Sequence, residues 1–245
     1  MRKHISVFML MVRSCIYKLL LIMFAMAAAD AIAVVFMPNP RELLYFELAG
    51  EDRFFFIYVL SVAIAMSSVL SSCSTGSSVP RYTLARLSIS EKAVMYWHWL
   101  CGALVMLALW FWQIILLYVI ARWHSAVAEP GFISHQSVYL ANFRSPFIHS
   151  VLPLEDVSRV ARNIVTAICM GGVCATGAHK IRRGKKPVAH IMLISVFAGT
   201  FRAEHFEISY DGFVMFVFAI VLIISVVGVY TGDEEVDYEE ASLEN

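Results

Sequence analysis

Six blocks of apolar residues, about 19–37, 54–70, 93–121, 160–178, 187–203 and 213–230, limit what this chain can fold into. A helix rises 1.5 Å per residue, so about 20 apolar residues cross the ~30 Å hydrocarbon core of a bilayer. Hydrophobic residues make up 60% of the 245, charged residues 16%, and the mean hydropathy is +0.71. Soluble domains run at roughly 45–50% apolar. The expectation is an all-α integral membrane protein with six transmembrane helices and no separate soluble domain.

The apolar runs within the fourth and fifth blocks, 164–178 and 188–201, are short and need flanking residues to complete a span, and charge placement decides for them. Between them lie Lys180, Arg182, Arg183, Lys185 and Lys186, and basic clusters of this kind stay on the cytoplasmic side. With both termini inside, the inner segments hold Arg2, Lys3, Arg13, Lys18, Arg81, Arg86, Lys92 and those five, twelve of the 19 Lys and Arg. The sequence therefore predicts an N-in, C-in, multi-pass protein of the plasma membrane, with the lipid bilayer as its first partner. No cleaved signal peptide is expected, since Arg13 interrupts the first apolar run. The odd count of five cysteines implies no disulfide framework.

Ile5, Phe8, Met9, Val12 and Ile16 follow the spacing of one helical face, so the N-terminus reads as an interfacial helix or as the frayed start of the first span. Between spans three and four, Tyr139, Phe143, Phe147 and Val151 recur every four residues beside Pro146 and Pro153. This predicts an outer interfacial or re-entrant segment of one or two short helices. Residues 233–245 are rich in acids and read as a solvated, disordered cytoplasmic tail.

Asp30 is the one carboxylate inside a predicted span, which makes it a functional candidate. Its Ala-rich surroundings favour pairing with Arg162, with Arg202 or with a polar group across a helix contact. His98, Gln113 and His190 read as residues satisfied by interhelical hydrogen bonds. Gly171, Gly172, Ala175 and Gly177 form a small-residue face for helix packing. Gly172 and Gly177 have the spacing of a phosphate loop, but Ala178 and His179 stand where Lys and Ser or Thr are required. His124, His135 and His149 lack the short spacing of a zinc site. No catalytic motif, metal site or cofactor site is expected, and nucleic acid is not among the expected partners.

The polar segment from Ser71 to Lys92 stands out in so apolar a chain. After Pro80 it can form a short helix carrying Arg81, Arg86 and Lys92, with Ser90 capping the next span and Glu91 in its first turn. Together with the length, the six spans and the N-terminal helix, this basic loop resembles that of the permease subunits of type-2 ABC exporters. In that family the loop ends in a Leu-Pro-Ile-Ser-Arg-like stretch, matched here by Leu87, Ser88, Ile89, Ser90 and Glu91, with serine in place of proline and glutamate in place of the basic residue. The resemblance implies a coupling helix that docks on a separate ATPase through Arg81, Tyr82, Arg86, Leu87, Ile89 and Lys92. Lys180, Arg182, Arg183, Lys185 and Lys186 would make a secondary cytoplasmic contact. It also implies a second permease chain, with ATP and magnesium held by the ATPase rather than by this chain. The competing reading is a non-transporting assembly or sensor protein whose basic loops meet anionic lipid or a regulator.

Overall fold

In lipid, a backbone that leaves amides unbonded is costly, so a long apolar block closes its hydrogen bonds within itself as a helix. The computed structural model describes residues 2–37, 52–72, 90–127, 136, 139–140, 144–154, 156–202 and 208–243, and they contain helices and no strand. We number the helices α1 (Arg2–Val35), α2 (Asp52–Ser71), α3 (Glu91–Val127), α4 (Pro146–Val151), α5 (Val157–Arg182), α6 (Ala189–Arg202) and α7 (Ile208–Leu243). Five of them, α1, α2, α3, α5 and α7, are long and apolar enough to cross a membrane. The chain is a multi-pass membrane protein.

α6 is the exception among the predicted spans. It has 14 residues, about 21 Å of rise and less than a hydrocarbon core. The other blocks form longer helices than their apolar stretches suggested. α1 runs unbroken from Arg2, so the N-terminal segment is the start of the first long helix and not a separate interfacial one. Val7 and Met11, both wholly buried, and Cys15 face the bundle, while Ile5, Met9 and Ile16 point outward. α7 likewise continues through Leu243, where composition had suggested an irregular tail. Glutamate, alanine and leucine are good helix formers, and no proline follows the span to stop it.

α5 lies at the centre, packed by α2, α3, α6 and α7, with its largest contact on α3. Every residue from Gly171 to His179 is buried. Surrounded by protein rather than lipid, α5 needs small residues more than oily ones. It is accordingly less apolar than α7. At the α3–α5 crossing the two backbones touch: a Cβ on Gly171 would lie 2.3 Å from the Ala103 nitrogen, and one on Gly102 would lie 3.0 Å from the Gly171 Cα. Gly172 and Gly177 face Leu222 of α7 and Leu70 of α2, so the predicted small-residue face is the packing face.

The helices alternate in direction. His4 of α1 meets Trp97 near the start of α3, and Glu91 meets the end of α5. At the opposite end, Ser158 at the start of α5 meets Asp211 at the start of α7.

Candidate functional site

The first end of the bundle gathers basic residues. Ser90 caps α3, its Oγ accepting from Ala93 N at 3.4 Å, and Glu91 follows in the first turn. The Glu91 carboxylate lies 3.5 Å from His179 Nδ1 and 3.9 Å from Arg183 Nη2 at the end of α5. Lys92 places its ammonium 4.8 Å from the centre of the Tyr230 ring of α7, and the Tyr230 hydroxyl is 2.9 Å from that of Tyr96. α5 ends in a tight turn at Gly184, whose φ of +74° suits glycine. There Gly184 N donates to Ile181 O and Lys185 N donates to Lys180 O, the paired bonds of a Schellman cap. This turn carries Lys185 and Lys186 into the open. Lys180 lies against Gly228 of α7, and Arg182 sits near His98, whose Nε2 donates to Val69 O at 3.0 Å. Of the predicted docking set, Lys92 is here, while Arg81, Tyr82, Arg86, Leu87 and Ile89 lie outside the described residues.

The opposite end holds a buried ionic network. Arg162 Nη1 donates to Asp211 Oδ1 at 2.8 Å, and both side chains are buried. Ser158 Oγ donates to Asp211 Oδ2 at 2.8 Å, and Arg159 bridges Asp156 and Asp211 at 3.3 and 3.9 Å. The short helix α4 is tied to this network. Asn163 Nδ2 donates to Ser150 O, Trp110 Nε1 donates to Val151 O, and His149 Nε2 lies 3.4 Å from Asp156. Burial, followed by the Arg159 guanidinium, holds the His149 imidazole below its ordinary range, with Asp156 acting in the opposite direction. Ser145 caps α4 and Pro146 begins it, as the break near Pro146 suggested. Phe147 and Val151 turn inward to the core and not to the interface, because Phe55 and Tyr58 of α2 receive the Phe147 ring. Phe143 lies outside the described residues. Beneath α4, Tyr58, Trp110, Asn163, Thr166 and Phe201 border a small cavity of about 20 Å³.

The two polar ends are a membrane thickness apart. From His179 to Arg162 is 17 residues of α5, about 26 Å, and from Tyr230 to Asp211 is 19 residues of α7, about 29 Å. A hydrocarbon core is about 30 Å thick.

Asp30 lies near the Arg162 end of α1 and is 1% exposed. Arg162 is taken by Asp211, and the Arg202 side chain lies outside the description. The group across from Asp30 is the amide of Gln113 on α3, the third kind of partner the sequence allowed. The sequence reading missed the roles of Arg159, Asn163 and Asp211. Their signal was Arg159 and Arg162 at i, i+3 at the start of a span predicted to lie outside, where the charge bias runs against arginine.

No family model, no curated protein and no solved structure matches this chain.

Proposed function

We propose that this chain is the permease subunit of an ATP-driven exporter. In this reading it spans the plasma membrane six times with both termini in the cytoplasm. It forms a translocation path with a second permease chain, identical or related, and draws on ATP and magnesium bound by a separate ATPase. α6 completes its crossing with flanking residues.

One observation carries the reading: the start of α3, which follows the basic loop, meets the second basic segment at one end of the bundle. Glu91, the first residue of α3 after the basic loop, bridges to His179 and Arg183 of the second basic segment. α3 then makes the protein's largest helix contact, with α5. A partner pressing on the loop from Arg81 to Ile89 would act on the helix best coupled to the core. Arg81, Tyr82, Arg86, Leu87, Ile89 and Lys92 form the docking surface in this proposal, and Lys180, Arg182, Arg183, Lys185 and Lys186 flank it.

The test is affinity purification of the tagged chain from native membranes. An ATPase should come with the wild type and be lost when Arg81→Glu and Arg86→Glu are combined, with membrane insertion unchanged. Purification of the wild type without an ATPase, or undiminished recovery of one with the double variant, would sink the proposal and favour an assembly or sensor role.

A further inference from the structure

Asp30 and Gln113 share a chemical problem. They face each other between α1 and α3, 1% and 0% exposed. The four polar atoms of their side chains, Asp30 Oδ1 and Oδ2 with Gln113 Nε2 and Oε1, are buried without a hydrogen-bond partner in good geometry among the described residues. The ionisable and charged side chains on the packed helices lie elsewhere. On α2 these are Arg53 and Tyr58. On α3, Cys101 and His98 lie on one side of Gln113, and Tyr118, Arg122 and His124 on the other. The described group across from Asp30 is the Gln113 amide.

An isolated carboxylate in such a place is costly, since buried charges persist when paired and hydrogen-bonded. An ionised Asp30 also accepts only. It can take one bond from Gln113 Nε2, which leaves the amide oxygen facing a negative charge. The neutral acid removes the conflict, because its O–H donates to Gln113 Oε1 while Gln113 Nε2 donates to the acid carbonyl. All four atoms then have partners. A metal cation fits less well, because α1 and α3 are continuous helices whose carbonyls are engaged, and two side chains offer too few oxygens.

We propose that Asp30 and Gln113 form a proton-binding site that fastens α1 to α3 when occupied and loosens them when the proton leaves. Asp30 is five residues from the end of α1 at Val35, about 8 Å along the helix. The membrane face at that end is the nearer one for its proton. The site does not depend on the chain being an exporter.

Infrared spectroscopy of the full chain in mild detergent tests this. At neutral pH the wild type should show a protonated-acid carbonyl band that is absent from Asp30→Asn. In Gln113→Leu, where the acid loses its partner, the band should move to higher frequency. Asp30→Asn should assemble and melt like the wild type, because an amide is the isostere of the neutral acid and not of the carboxylate. Three results would each overturn the proposal. One is a wild-type spectrum without a band specific to Asp30. Another is failure of Asp30→Asn to assemble. The last is loss of the band when sodium chloride replaces choline chloride, which would mark a metal-cation site.

Discussion

Gly171 is the position where one added carbon should matter most. Its Cβ would lie 2.3 Å from the Ala103 nitrogen, 2.8 Å from the Ala103 Cα and 2.8 Å from the Gly102 carbonyl carbon. All three atoms are backbone, so no side chain can swing aside, and α3 and α5 would have to separate by about 1 Å to reach ordinary contact. Overpacking of this kind costs about 1–3 kcal/mol, and the absence of a yielding neighbour points to the upper half of that range. Replacing glycine with alanine in a helix returns up to about 1 kcal/mol, so Gly171→Ala should lose about 1–2 kcal/mol net. At about 2–4 °C per kcal/mol for a chain of this size, the melting temperature should fall by about 2–8 °C. The control is Gly199→Ala on α6, where nothing lies within 4 Å of the added carbon. It should be neutral or slightly stabilising. Both variants would be melted in the same mild detergent beside the wild type. If Gly171→Ala melted with Gly199→Ala, the backbone contact at the α3–α5 crossing would be refuted.

Two further outcomes concern the Arg162 end. Asp211→Asn leaves the Arg162 guanidinium buried without its carboxylate, a loss of about 3–5 kcal/mol for breaking one side of a buried pair. The double change Arg162→Met with Asp211→Leu should cost less than the two single changes together; additive losses in thermal melts would count against a direct pair. His149 gives a pH dependence whose sign follows from its lowered proton affinity in the fold. Stability linked to neutral His149 is fully present above the ordinary histidine range and is lost as pH falls through the lower, folded value. His149→Gln should flatten that part of the melting curve against pH, and an unchanged acid limb would refute the role of this imidazole.

The sequence made the class of protein legible, because lipid-facing helices announce themselves by unbroken apolar runs. α7 is the clearest, with Phe213, Phe216 and Ile224 exposed toward lipid. α5 was harder to read for a physical reason: protein encloses it, so its composition answers to close packing and not to lipid. The Ser90 cap and the Pro146 break were readable because each depends on residues next to it in the chain. The partner of Asp30 was not. Arg162 carries the right charge, but helix rotation and level set the choice, and these turn Arg162 toward Asp211 and Gln113 toward Asp30. The face of α1 that meets the bundle was hidden for a similar reason, since Val7 and Met11 are no more apolar than the Ile5 and Met9 that point away.

α5 joins the two polar ends into one mechanical element. His179 sits at its basic end, Arg162 near the other, and Gly171 lies between them at the point where α3 presses closest. Side chains usually make a compliant layer between helices, and here that layer is missing. A displacement of α3 imposed at Glu91 therefore passes to α5 without being absorbed in rotamer changes, and packed interiors transmit strain of this kind. It would be felt next where α5 holds Asp211 and the Ser150 carbonyl of α4, through Arg162 and Asn163. α4 is short, lies over the space bordered by Tyr58, Trp110 and Phe201, and is held by those bonds, by the Trp110 bond to Val151 and by the burial of Phe147, Ile148 and Val151.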